Sequence, residues 1–522
     1  MEPSIFTKED RKQLEGAGIS LEEGLRQIAL FENPPGFTKL ARVCVPGDGI
    51  RRLVESEVEE ALAAYERARL GDRFLKFVPA SGAATRMFQS LLFFRNETRE
   101  WSRREIEREA AKGTEHFPEL KRFLEGLSRF PFAGALRDTL EEAGEDPAAL
   151  LQNGSYRPIL GALLDPAALD FARLPKGLIP FHGTEDEART PFEQHLIEAA
   201  LYARNADGSC RLHFTVSPEH EEAFRRLLER VRPGLEERFG IRYEVNFSAQ
   251  KPSTDTLAAD ESNRPFREKN GRLLVRPGGH GALIENLGET EGDIVFIKNI
   301  DNVTPRQLTA EVCGWKKALA GHLTRVQERI FRLLARLDEG ADNRVVEEAM
   351  IFLKEDLGVE PPAGKAPAGG DAHRFVTEKL DRPLRVCGMV PNTGDPGGGP
   401  FWVTGEDGSA SLQIVESAQI DPRSDAQQEI LKASTHFNPV DLVCALRDRR
   451  GNPYDLRGHV DESAVFISVK SKDGRTLKAF ERPGLWNGAM ADWNTVFVEV
   501  PAETFSPVKR VTDLLKEEHQ GA

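Results

Sequence analysis

The stretch Phe74-Leu75-Lys76-Phe77-Val78, followed by Ala80-Ser81-Gly82-Ala83-Ala84-Thr85 and then residues 86–93, decides how this chain is read. The first run is short and nearly apolar, as a buried strand is, and the small residues after it mark a tight turn into a helix start at Arg86. Strand, tight turn and helix form the opening unit of nucleotide-binding α/β folds. The small residues Ser81, Gly82, Ala83, Ala84 and Thr85 let backbone N–H groups approach a phosphate at a helix N-terminus, and Arg86 adds a full positive charge. The GK[ST] ending of a P-loop is missing. Small residues serve an ordinary structural βα turn just as well, so both readings stand at this point.

Upstream of this unit, residues 1–71 read as an N-terminal helical segment. Thr7 and Ser20 are candidate N-caps, residues 21–31 carry a helical apolar stripe that stops before Asn33-Pro34-Pro35, and residues 57–70 end at Gly71. Downstream, residues 95–172 are charged and helix-periodic and read as a helical insertion. Strands resume at residues 211–216, where Ser217-Pro218 then starts another helix, and again at residues 292–297, an apolar run typical of a strand buried on both faces. Asn270-Gly271 marks a hairpin turn between them. Residues 316–337 and 343–357 read as amphipathic helices, residues 361–374 as a loose linker, and residues 375–515 as a β-rich final part with turns at Glu406-Asp407-Gly408 and Lys472-Asp473-Gly474.

Composition narrows the function. A chain of 522 residues with 39% hydrophobic content buries a large core. The 70 basic and 84 acidic residues leave a formal charge of -14, which repels nucleic-acid backbones and anionic membranes unless a local basic patch overrides it, and does not exclude a small anionic ligand held in a cleft. Residues 1–12 lack the apolar centre of a secretory signal and no apolar run reaches membrane-spanning length, so the expectation is a cytoplasmic protein with neither nucleic acid nor membrane as partner. The five cysteines are scattered without a CxxC pair and read as reduced core residues. There is no GxSxG elbow, HExxH helix or GxGxxG fingerprint, which leaves hydrolase, zincin and dinucleotide-oxidoreductase readings without a start.

The remaining candidates each allow two readings. Leu174-Pro175-Lys176-Gly177-Leu178-Ile179-Pro180 presents Lys176 from a proline-braced segment, either towards a cleft or into solvent. Gly278, Gly279 and Gly281 around His280 suit exposed peptide groups reading a flat base, or an ordinary glycine-rich loop. Asp301, in Lys298-Asn299-Ile300-Asp301-Asn302 just past the buried strand, suits a Mg²⁺ anchor, or an Asx turn capping the next helix. Lys509 sits in Phe505-Ser506-Pro507-Val508-Lys509, again beside a proline. His436 and Asn438, with Gly397-Gly398-Gly399, suit the lining of a substrate pocket or a structural loop.

In order as well as content, these motifs resemble those of the GT-A type nucleotidyltransferases, the sugar-nucleotide pyrophosphorylases. That family carries GGxGTR(L/M) after the first strand and then PKxLxP; the members acting on uridine nucleotides add a PxGHG or PxGNG loop, an NxDN strand end and a late F-x-PVK. The matching stretches here are 81–87, 175–180, 277–281, 299–302 and 505–509, with Ser81 and Ala84 in place of motif glycines and Ala282 where Asp is common. The resemblance spans residues 72–515. The whole chain also resembles a bacterial family, domain of unknown function 4301.

The resemblance implies an α/β fold: a GT-A/Rossmann-like mixed-sheet core at 72–515 bearing the insertion and the β-rich part. It implies nucleotidyl transfer, with uridylyl as the group moved, from a nucleoside triphosphate to a sugar 1-phosphate or similar acceptor, with release of pyrophosphate and Mg²⁺ as cofactor. Arg86 and the turn would hold the triphosphate, residues 278–281 the base, Asp301 the metal, and Lys176 and Lys509 the phosphates. A nucleotide-binding protein without catalysis, or a GT-A glycosyltransferase, is the alternative. Neither the acceptor nor the oligomeric state is specified by the sequence.

Overall fold

The computed structural model describes residues 5–183, 188–305, 309–340, 343–362, 367–392, 394, 397–439 and 441–520. It is a mixed α/β structure with several sheets, and the chain divides into two compact units. The first comprises Met1–Phe77, Ser248–Ile297 and Lys316–Val500; the second comprises Val78–Phe247, Lys298–Trp315 and Pro501–Ala522.

The first unit is built on a sheet in the order Val45–Pro46, Gly49–Arg51, Asn494–Glu499, Leu384–Met389, Asp441–Ala445, Ile294–Ile297 and then residues 74–77. Asp441–Ala445 runs antiparallel to both neighbours, while the other pairs are parallel. Ile294–Ile297 is buried at every position, which is why its sequence is apolar without alternation. An antiparallel sheet of Leu40–Val43, Gly399–Thr404, Ala410–Val415 and Val359–Glu360 packs Trp402, Leu412 and Ile414 against Ile50 and Phe497.

A further sheet of Phe466–Lys472, Arg475–Glu481, Thr256–Ala259 and Val275–Arg276 is covered by the N-terminal helices Lys8–Gly16 and Leu21–Glu32 through Leu14, Ile28 and Phe31. Thr7 and Ser20 cap those helices, accepting from the Asp10 and Glu23 N–H groups at 3.1 and 3.0 Å. Residues 1–71 are not helical throughout, however. Residues 40–51 form short strands, because Pro46 and the positive φ of Gly47 (91°) and Gly49 (89°) interrupt any helix, and Leu40–Val43 and Gly49–Arg51 each pair with a strand far away in sequence.

The second unit holds the strand Ser209–Thr215, residues 242–247 of the next strand and the helical insertion, five helices from Arg103–Ala111 to Tyr156–Leu164. These helices share an aromatic-rich core, in which Phe130 and Phe132 stack with centroids 5.0 Å apart, with the C-terminal residues Val508, Val511, Leu514 and Leu515. Of the linker expected at 361–374, residues 363–366 lie outside the described residues, and the helix Gly370–Leu380 starts within it. All five cysteines are buried free thiols. Among the described residues no helix is long and apolar enough to cross a membrane.

Candidate functional site

Asp301 is buried in the second unit. Its Oδ2 accepts from Lys176 Nζ at 2.7 Å and from Lys509 Nζ at 3.4 Å. The two lysines differ: the Lys176 side chain is 11% exposed and also donates to the Val508 carbonyl at 2.5 Å, whereas that of Lys509 is 62% exposed. Burial pushes the Asp301 pKa upward, but the ammonium groups of Lys176 and Lys509 outweigh it and hold the carboxyl below its ordinary range. Asp301 is therefore an ion-pair centre, not a simple turn cap.

Backbone pairing assembles the surroundings. The Lys176 N–H donates to the Gly82 carbonyl at 3.2 Å and the Ala84 N–H to Leu174 at 3.1 Å, which sets the small-residue turn beside the lysine segment. The Val508 N–H donates to the Asp301 carbonyl at 3.1 Å, and the Ser506 N–H to Asn302 Oδ1 at 3.0 Å. Gly177 has no room for a side chain, since a Cβ there would lie 2.9 Å from Phe224 and 3.1 Å from Ile300.

Ser81, Gly82 and Ala83 are exposed, and their N–H groups have no acceptor among the described residues. Ala84 is buried, Thr85 donates its hydroxyl to the Ala172 carbonyl at 3.2 Å, and Arg86 is exposed with no ion-pair partner among the described residues. The turn leads through a single 3₁₀ turn, Ala84–Arg86, into the helix Gln89–Asn96.

The glycine-rich loop belongs to the first unit, and packing accounts for most of it. A Cβ on Gly278 would lie 2.4 Å from the Thr254 carbonyl oxygen, and one on Gly281 would lie 1.9 Å from that of Pro483. Gly279 takes a φ of 82° but has ordinary contacts. His280 Nδ1 accepts from the Leu485 N–H at 3.1 Å, its ring lies 4.7 Å from that of Trp486, and burial lowers its pKa. His436, also in the first unit, is buried with Nδ1 2.8 Å from the Thr435 hydroxyl and Nε2 3.9 Å from Glu499; burial lowers its pKa as well. Asn438 is half-buried beside Gly397.

The family described as Domain of unknown function (DUF4301) matches residues 7–520. The chain belongs to that family. No curated protein matches this DUF4301 chain. Solved structures similar to it include a uridine diphosphate N-acetylglucosamine pyrophosphorylase from Trypanosoma brucei, with 14% identity and a TM-score of 0.46 over 98% of this chain and 79% of that one. A mutant UDP-glucose pyrophosphorylase from Leishmania major in complex with UDP-glucose is 12% identical, with a TM-score of 0.42 over 97% of this chain and 77% of that one. A UDP-glucose phosphorylase from Trypanosoma brucei is 12% identical, with a TM-score of 0.43 over 98% and 80%.

Sequence reading missed several contacts in the second unit of this DUF4301 chain. It named Lys176 and Asp301 separately but not their ion pair, which joins residues 125 positions apart. The Val508 carbonyl carries no sequence signal at all. His182 and His519 form a buried pair with Nε2 and Nδ1 2.8 Å apart, tying the C-terminal segment down, and burial lowers both pKa values, to about 3 and about 4. An isolated histidine in each of two unremarkable stretches gave no hint of it.

Proposed function

We propose that this chain is a nucleotidyltransferase that moves a nucleoside monophosphate, uridylyl by motif resemblance, from a nucleoside triphosphate to a sugar 1-phosphate or similar phosphorylated acceptor. The observation that carries this reading is the meeting of segments 81–86, 174–177, 298–302 and 506–509 around one buried carboxylate, beside exposed N–H groups that have no acceptor among the described residues. Two lysines against one aspartate leave the centre with a local excess of positive charge, which suits phosphate oxygens.

Magnesium fits this centre together with bound phosphates. Asp301 gives Oδ2 to the lysines and keeps Oδ1 without a hydrogen-bond partner among the described residues. No group of three or more His, Cys, Asp or Glu side chains is placed to hold an ion among the described residues. Magnesium normally takes one or two carboxylates and fills its shell with phosphate oxygens and water, so Asp301 Oδ1 would hold it. When bound, it would neutralise charge on the phosphates.

In the transfer, an acceptor phosphate oxygen attacks the α-phosphorus in line, the bond from that phosphorus to the α,β-bridging oxygen breaks, and pyrophosphate leaves with the electron pair. The protein's task is positioning and charge stabilisation. Lys509 and Arg86 reach solvent and would meet the phosphates; Lys176 would fix Asp301 and the turn.

The test is a thermal-shift panel of UTP, CTP, ATP and GTP with Mg²⁺, followed by pyrophosphate release with sugar 1-phosphates. A ligand that binds only the folded state raises the melting temperature by mass action. The expected result is a shift with one triphosphate, UTP first, and pyrophosphate release with one acceptor. No shift with any triphosphate at millimolar concentration would sink the reading.

A further inference from the structure

The helix Pro191–Tyr202 is buried along most of its length, yet it carries His195, Glu198 and Tyr202 at a spacing that sets all three on one face. Apolar side chains would fill that volume without the cost of desolvating polar groups. Glu198 Oε1 instead accepts from Lys298 Nζ at 2.9 Å, with the two side chains 0% and 1% exposed. The Tyr202 hydroxyl donates to Glu198 Oε2 at 3.3 Å. His195 Nε2 lies 3.2 Å from the Asn299 carbonyl oxygen and 3.3 Å from that of Ile300. Carbonyl oxygens only accept, so Nε2 carries the proton in this arrangement.

These contacts hold one side of segment 298–302, and the backbone holds the rest. The Ile300 N–H donates to the Pro79 carbonyl at 3.1 Å, the Asn302 N–H to Asn299 at 3.1 Å, and the Val508 N–H to Asp301 at 3.1 Å. With both preceding carbonyls drawn towards the helix, the Asp301 carboxylate is left facing Lys176 and Lys509. A buried ion pair is a weak source of stability, because desolvation offsets its attraction, but it fixes geometry strictly. A carboxylate that must hold a cation against phosphate oxygens needs such support from behind.

We infer that His195, Glu198 and Lys298 are positioning residues that set the Asp301 carboxylate for phosphate and cation binding. The inference rests on the phosphate-binding reading of the same centre. Its test is the double variant Glu198→Gln/Lys298→Met, which removes both buried charges together and leaves side chains of similar length. Two measurements are made beside its melting curve: hydrogen–deuterium exchange over residues 298–302, and the dissociation constant for UTP with Mg²⁺.

The expected result is a melting temperature close to wild type, with faster exchange confined to 298–302 and UTP binding weakened by about tenfold or more. Unchanged exchange, or unchanged affinity beside faster exchange, overturns the inference. A wild-type protein that fails to bind UTP would defeat the nucleotidyltransferase reading instead, and the exchange measurement would still decide whether these residues order the loop. Should the double variant fail to fold, His195→Leu leaves the ion pair in place and removes the donor to Asn299 and Ile300. Wild-type exchange and affinity in that variant would overturn the inference equally.

Discussion

The turn at 81–83 and the loop at 278–281 are both small-residue segments that sequence reading assigns to ligand contact, yet they use their small residues differently. Among the described residues, a Cβ at Gly82 would meet nothing within 4 Å, and the neighbouring N–H groups face no acceptor. At Gly281 a Cβ would sit 1.9 Å from the Pro483 oxygen, so the glycine is required before any ligand is considered. Small size leaves room for something outside the fold in one case and lets two chain segments touch in the other. Polar partners follow the same division: the turn lies beside an ion-pair centre with a charge excess, whereas His280 is occupied by Leu485 and Trp486.

The largest expected effect comes from removing the charge at that centre. Asp301→Asn leaves the Lys176 ammonium buried without a counter-charge, and breaking a buried pair this way costs about 3–5 kcal/mol. The variant should therefore melt well below wild type near pH 7 as well as losing triphosphate binding. The pH dependence has a definite sign. Because the folded pKa of Asp301 is lowered, its stabilising contribution is complete above the unfolded value of about 3.9 and is lost as pH falls through the folded value. Asp301→Asn should flatten that acid limb in melting curves taken below about pH 4. Wild-type melting at neutral pH would mean that Lys176 does not depend on Asp301, and the contrast with the glycine loop would lose its electrostatic half.

Much of this architecture was legible in the sequence because its signals are local. The strand at 74–79, the buried strand at 294–297, the capped N-terminal helices and the hairpin turns each declare themselves within a few residues. The short strands at 40–51 did not, since their pairing with Val403 and Phe497 is a long-range event that leaves too few residues for a period to show. At the candidate site the residue types Lys176, Asp301 and Lys509 were visible, but their mutual pairing was not. From its local sequence Asp301 suits a metal anchor or a turn cap; only the folded chain shows it paired with two lysines. The glycine loop was ambiguous for a related reason, because the chain segment that fills its space, 482–484, lies some two hundred positions away.

A smaller effect is expected from filling the space at the loop. Gly281→Ala places a methyl group against the Pro483 backbone, and such overpacking costs about 1–3 kcal/mol, occasionally more. Thermal unfolding should show the loss as a melting temperature lower by several degrees. A variant that melts like wild type while losing nucleotide binding would place Gly281 in the same class as Gly82, and the distinction between the two segments would fail.

The smallest effect on stability, and the most informative, is expected at the turn itself. Gly82 does not adopt the left-handed conformation, and its Cβ position is open, so Gly82→Ala meets neither strain nor contact. Replacing glycine by alanine where the backbone already suits alanine stabilises by about 0.4–1 kcal/mol, because the unfolded chain loses conformational freedom. The melting temperature should hold steady or rise slightly. Binding should move the other way: a methyl group on the exposed turn keeps a phosphate from closing onto the Ser81, Gly82 and Ala83 N–H groups, and a loss of about 1.4 kcal/mol is about tenfold in affinity. Titrating UTP with Mg²⁺ into wild type and variant, beside their melting curves, separates the possibilities. Weaker binding with undiminished stability assigns the small residues to a ligand; equal binding makes the segment an ordinary strand-to-helix turn and removes its difference from the loop at 278–281.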